Sequence, residues 1–204
     1  TWAKVSGLRS KYFTLTQDEQ NGPGIYIFLT KKDLDNYMNS DLFKNFGAFP
    51  HITELDVKIY RVLRGSEDTV DMATWPSGNV DPTREDIESA VIFYPRFNVD
   101  YGTGLEGTPS NPEEFEGALI EPMSFAKMWH ISNVPGLQSK FFTLDEANKI
   151  GTGVYIFNNQ EYLDDYLKSE LLSNFKSFPH ITALKVDIYN IIGGTELTVA
   201  ANPW

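Results

Sequence analysis

Apolar and polar residues alternate from Gly7 to Thr16, with Lys11, Phe13 and Leu15 on one side and Tyr12 and Thr14 on the other, which predicts a β-strand. Asn21-Gly22-Pro23-Gly24 makes a turn. Gly24 to Leu29, carrying Ile25-Tyr26-Ile27-Phe28, then reads as a near-continuous apolar strand of the kind covered on both faces. From about Lys31 to Phe46 the spacing becomes helical: Leu34, Tyr37, Met38 and Leu42 share one stripe, Thr30 caps the start and Gly47 ends it. Alternation returns from Ile52 to Leu63, where Leu55, Val57 and Ile59 oppose Asp56, Lys58 and Tyr60. The block is strand, strand, helix, strand.

The same block occurs twice. Gly7 to Val70 lies over Gly136 to Val199 without a gap, with about half the paired residues identical; Phe49-Pro50-His51-Ile52-Thr53 returns as Phe178-Pro179-His180-Ile181-Thr182. Between the copies, Arg64 to Ile87 is rich in Gly, Pro, Asp, Ser and Thr and reads as a linker. Then come pieces that the first copy lacks: a strand at Ala90–Tyr94, a glycine-containing loop from Asp100 to Asn111, and a helix from Pro112 to about His130 kinked near Pro122. The second unit is therefore β-α-β-β-α-β, the split-βαβ arrangement.

The expected fold class is α+β: two tandem ferredoxin-like domains. Residues 1–70 form a first repeat without its opening strand and helix, 71–87 a linker, and 88–204 a complete second repeat with a C-terminal tail. Both helices of such a unit lie on one face of its sheet. The other face is expected to carry Tyr26, Phe28, Tyr60, Tyr155, Phe157 and Tyr189, which need cover. Two sheets packed through these faces give an intramolecular pseudo-dimer of the dimeric α/β-barrel type. The first unit's missing strand and helix are expected upstream of Thr1; otherwise its unfilled edge is a place for pairing with a neighbouring chain.

Composition narrows the partners. The formal charge is −11 over 204 residues, spread along the chain, which disfavours nucleic acid and anionic membrane surfaces. No apolar run approaches the length of a membrane helix, so a soluble protein is expected. The chain has no cysteine, which removes disulfides, thiolate metal sites and cysteine nucleophiles. His51, His130 and His180 are isolated in sequence, and no metal or other cofactor is expected. Gly22-Pro23-Gly24 and Gly151-Thr152-Gly153 join strands rather than open helices, so they read as turns and not phosphate loops.

Val134-Pro135-Gly136-Leu137, Lys140-Phe141-Phe142-Thr143-Leu144-Asp145-Glu146, and Gly151-Thr152-Gly153-Val154-Tyr155-Ile156-Phe157 followed by a helix with Tyr166-Leu167 resemble the YdhR-like monooxygenases. That resemblance implies the dimeric α/β-barrel fold and, for function, a cofactor-independent oxygenase or a small aromatic-ligand binder. It carries over no catalytic residue.

Candidate chemistry is sparse. His51 and His180, each after Phe-Pro, are readable as general bases or as turn histidines bonded to backbone; Tyr26 and Tyr155 would stand beside them in twin pockets. The open-face aromatics are readable as a pocket for a flat ligand or as core between the domains. The segments after each last strand echo one another and end in Trp75-Pro76 and Pro203-Trp204, so Trp75, Pro203 and Trp204 are candidate assembly contacts, docking on a neighbour or folding back. With no catalytic constellation, the leading expectation is a non-catalytic structural protein that self-assembles into closed oligomers or an array. Its architecture is similar to the shell proteins of algal pyrenoids, which would imply the plastid stroma; otherwise the protein would be cytoplasmic. The alternative is the YdhR-like oxygenase or aromatic-ligand binder.

Overall fold

The computed structural model describes residues 5–16, 21–63, 66, 68–69, 90–104, 106, 108–120, 133–192 and 197–198. Residues 71–87 of the linker, His130, Trp75, Pro203 and Trp204 lie outside the described residues, whereas Asp68 and Thr69, within the stretch read as linker, form a short strand. The first repeat contributes β1 (Leu8–Thr16), β2 (Gly24–Phe28), α1 (Lys31–Met38), α2 (Asp41–Gly47), β3 (Arg61–Val62) and β4 (Asp68–Thr69). The second contributes β5 (Val91–Val99), α3 (Pro112–Ile120), β6 (Leu137–Asp145), β7 (Ile150–Phe157), α4 (Gln160–Leu167), α5 (Glu170–Lys176), β8 (Ile181–Ile191) and β9 (Leu197–Thr198).

Each repeat has two short helices where one long helix was expected. Ser40 Oγ accepts from the backbone N–H of Phe43 at 3.3 Å, and Ser169 Oγ from that of Leu172 at 3.2 Å, so a fresh N-cap restarts each helix at a new angle. The first helix of each pair is capped as well, by Thr30 and by Asn159. The opening strand of the second unit is also longer than expected, running through Pro95 to Val99. Pro95 lacks a ladder donor; next to it the pairing with β8 shifts register between Arg96 and Asn98, and Gly153 of β7 leaves room for its ring.

The second unit orders its strands β8-β5-β7-β6, all antiparallel, which is the ferredoxin-like order. The units then join edge to edge in a pseudo-two-fold way. Leu15 and Thr14 of β1 pair with Asn190 and Ile191 of β8, while their repeat partners Leu144 and Thr143 of β6 pair with Arg61 and Val62 of β3. The short strands repeat the relation: β9 pairs with β1, and β4 with β6. One curled sheet results, in the order β2-β1-β8-β5-β7-β6-β3. The α+β pseudo-dimer of the dimeric α/β-barrel type is thus what the chain forms.

Two cores follow from strand alternation. Between sheet and helices of the second unit lie Val91, Phe93, Phe97, Phe115, Phe142, Tyr155, Phe157, Leu163, Tyr166 and Phe175. Leu63, from the end of the first repeat, is 0% exposed in this same core, its N–H donating to the Phe142 carbonyl at 2.8 Å. On the inner face of the curled sheet lie Tyr12, Ile27, Ile92, Phe141, Val154, Ile156 and Ile191 from both units.

The expected strand Ile52–Leu63 is paired only at Arg61 and Val62. Among the described residues no strand pairs with Ile52–Tyr60, and β2 has β1 as its one neighbour. In the second unit the equivalent stretch is the eleven-residue strand β8, because β5 lies beside it.

Candidate functional site

The inner face of the sheet carries a group of three tyrosines, Tyr60, Tyr94 and Tyr189. Ala90, just before β5, and Ile92 and Tyr94 on it point inward while Val91 and Phe93 point to the helices. Tyr189 on β8 lies diagonally across from Tyr94, ring centroids 6.3 Å apart. Tyr60, which the repeat pairs with Tyr189, flanks the Tyr94 hydroxyl from the first unit, and Thr152 flanks it from β7. The Thr152 and Thr143 hydroxyls bond to each other across the β6–β7 ladder. Ile92, Val154, Ile156 and Phe141 form the apolar floor.

Burial sets the electrostatics. Tyr94 is held well above the ordinary phenol range by burial first and by the nearby Tyr60 second, with the bond from Thr152 acting the other way. Tyr189 is pushed up to about 12 by burial, and then by the Asp187 carboxylate beside it. At neutral pH both are protonated hydroxyls. Such groups donate hydrogen bonds to a carbonyl or to a developing phenolate or enolate oxygen; they do not withdraw protons. All three tyrosines are partly exposed.

The face expected to carry the aromatics is corrected for four of the six. Tyr155 and Phe157 lie beneath α4, with Tyr155 5.3 Å from Phe93 and Phe157 5.2 Å from Tyr166. Tyr26 and Phe28 sit the same way under α1, 5.7 and 5.4 Å from Tyr37. Only Tyr60 and Tyr189 face inward. Burial raises Tyr26 and Tyr155, so each holds its proton, Tyr155 in the core and Tyr26 half-buried beneath α1.

His180 stands at the other end of its sheet from Tyr155. Ile181 pairs with Val99 while Tyr155 pairs with Phe93, so about 20 Å of strand separates the two sites. Phe178 and Phe115 flank His180, ring centroids 5.4 and 5.9 Å away, whereas His51 is exposed. Among the described residues no group of three or more His, Asp or Glu is placed to hold a metal ion, and no helix is long and apolar enough to cross a membrane.

Sequence reading missed Tyr94, Thr143 and Thr152. Tyr94 shares the parity of Ala90 and Ile92, but that parity means "inward" only once the helices are known to cover Val91 and Phe93. It also missed the bridge between the units, where Arg61 donates to Glu116 of α3 at 2.9 and 3.1 Å and to Glu146 at 2.8 Å.

Residues 118–201 match the family described as "Putative mono-oxygenase ydhR". The YdhR-like resemblance holds over that segment, which includes β6, β7, α4, α5 and β8. No curated protein matches the chain. Among solved structures, a "putative monooxygenase" of Fusobacterium nucleatum is similar with a TM-score of 0.61 at 12% identity, covering 98% of this chain and 85% of that one. Another of Lactobacillus acidophilus gives 0.60 at 11% identity, covering 96% and 83%. An anthrone oxidase-like protein gives 0.53 at 13%, covering 97% and 84%. At these identities the likeness is one of fold.

The expected shell-forming, non-catalytic role is overturned by these matches: family and fold relatives alike are of the monooxygenase kind. Within the chain β1 joins β8 and β6 joins β3, so these strand edges are used inside one molecule. The pyrenoid likeness and the plastid location that depended on it are left without support.

Proposed function

We propose that this chain is a YdhR-like oxygenase for a small electron-rich aromatic substrate, bound at the inner-face tyrosines. The observation that carries the reading is the family match over residues 118–201, a segment that contains Thr143, Thr152, Asp187 and Tyr189 of the cluster.

The substrate class follows from the groups present. A flat, apolar ring system lies over Ile92, Val154 and Ile156, and its oxygen accepts from the Tyr94 and Tyr189 hydroxyls. A ring-activated CH2 loses a proton to the Asp187 carboxylate, and the charge that develops on the substrate oxygen is held by the two phenols. The carbanion transfers electrons to dioxygen and forms a carbon hydroperoxide; loss of water leaves a carbonyl. One CH2 and one O2 become one C=O and one H2O. The substrate is the only reductant.

The test is oxygen uptake by the purified protein with anthrone as probe, the choice taken from the fold relative's name. The expected result is catalysed uptake of one O2 per anthrone, falling about 10- to 100-fold in kcat/KM for Tyr94→Phe. A rate no faster than the protein-free solution, across several activated phenols, removes the oxygenase reading. Saturable binding without turnover would leave a ligand carrier.

A further inference from the structure

Next to the inner-face tyrosines stands a cation that the rest of the chain leaves unmatched. Arg96 follows Tyr94 by two residues on β5, with the same inward parity, and lies directly opposite Thr152 of β7 and Lys185 of β8. Its Nε is buried and, among the described residues, has no acceptor. Among the described residues neither Arg96 nor Lys185 forms an ion pair. A buried donor without an acceptor is costly, and a like charge directly across the ladder adds to the cost. Carboxylates to quench the two are plentiful in a chain of net charge −11. The two acids on the same face are engaged otherwise: Asp145 accepts from the N–H and Nδ2 of Asn148 at 3.1 and 2.7 Å, and Asp187 stands beside Tyr189.

The backbone of β8 is bent to make this face polar. Ile181 and Thr182 pair with β5 in one register, and the strand from Lys185 onward pairs in another, with one extra residue between them. Ala183 takes up that extra residue at φ +51°, a conformation rarely adopted by a side chain with a Cβ. The bulge reverses the alternation: Ile181 before it and Leu184 and Ile188 after it all pack toward the helices. With an unbroken register, Lys185, Asp187 and Tyr189 would face the helices, and Leu184, Val186 and Ile188 would line the interior. Backbone strain is thus kept where it delivers three polar side chains to the face that holds Arg96.

We propose that Arg96 is the anion-recognising residue of the inner-face site, with Lys185 at its rim, and that the ligand is an aromatic carboxylate; the assignment rests on the inner face being the ligand face, as in the oxygenase reading. The planar guanidinium fork matches the two oxygens of a carboxylate. The ring system over Ile92, Val154 and Ile156 extends past the Tyr94 hydroxyl, and its carboxylate ends on Arg96, two residues further along the strand at about 3.3 Å each. An apolar floor with one charged end selects such a molecule over a neutral ring of the same shape.

Calorimetric titration of the Thr1–Trp204 chain with 2-naphthoate and with neutral 2-naphthamide tests the assignment. The expected result is one naphthoate per chain, bound at least about tenfold more tightly than the amide. Arg96→Gln should bring that preference below about threefold, and Arg96→Lys, which keeps the charge without the fork, should fall between the two. Should Arg96→Gln fail to fold by circular dichroism, the parent chain and Arg96→Lys decide. Equal affinities in the parent, no saturable binding of naphthoate, or a preference undiminished in folded Arg96→Gln overturns the proposal. Because binding is read without turnover, a charge preference in a protein that does not oxidise anthrone removes the oxygenase and keeps the anion site. Anthrone turnover with no charge preference does the reverse.

Discussion

The ring of Phe115 meets the imidazole of His180 edge-on, centroids 5.9 Å apart. His51, the same residue in the other repeat and in the same Phe-Pro-His-Ile-Thr sequence, is exposed. One histidine motif therefore has two environments, and the difference is made by α3.

Removing that ring should expose the second histidine. Phe115 is 1% exposed, so Phe115→Ala is expected to cost about 3–5 kcal/mol. In the parent chain diethylpyrocarbonate should modify His51 well before His180; in the variant the two rates should converge. Equal rates in the parent would contradict the packing.

Leu63 ties the first repeat into the core of the second, yet its repeat partner Ile192 is 39% exposed. Leu63→Ala is thus expected to lower unfolding free energy by about 2–5 kcal/mol, and Ile192→Ala by under about 1.5 kcal/mol. Urea denaturation of both variants checks the ordering, which a perfectly symmetric pseudo-dimer would not show.

Arg61 spans the unit boundary to Glu116 and Glu146, but it is part-exposed. Arg61→Ala should cost no more than about 1 kcal/mol, less in high salt. A larger, salt-independent loss would mean that packing of the side-chain stem outweighs the charges.

Alkaline pH should unfold the protein. Burial raises Tyr37 and Tyr189 to about 12, and Tyr26, Tyr94 and Tyr155 are raised as well. Between pH 10 and about 12 the unfolded chain has given up phenol protons that the folded chain still holds, so stability falls as pH rises; below pH 10 this contribution is fully present. Absorbance at 295 nm should show a late phenolate phase coincident with loss of secondary structure. Phenolate formation that is complete near pH 10 with the fold intact would refute the buried placements.

Gly153→Ala probes the close approach of backbone to ring. A Cβ there would stand 2.3 Å from the Tyr155 ring, which Phe93, Phe142 and Tyr166 hold in place. At Gly24 the same substitution meets Tyr26 at 2.6 Å, where the glycine is exposed and the ring only half-buried. Gly153→Ala should therefore be the more destabilising, by about 1–3 kcal/mol, measured by thermal melts of the two variants.

What the sequence determined by itself is local. Alternation placed β1, β2, β6 and β7, helical spacing with Thr30 placed α1, and the gapless repeat announced the pseudo-two-fold, because each rests on neighbours within a few residues or on plain identity. The YdhR-like pattern was legible for the same reason. Only the tertiary structure decided which face of each strand the helices cover. Alternation separates two faces without naming them, and so Tyr155 was expected inside the barrel and lies under α4, while Tyr94 was passed over and stands at the centre of the candidate site. It likewise decided that Ile52–Tyr60, for all its strand pattern, makes no ladder among the described residues: a β-strand is satisfied by its neighbour, and that neighbour is not in the sequence of the strand itself.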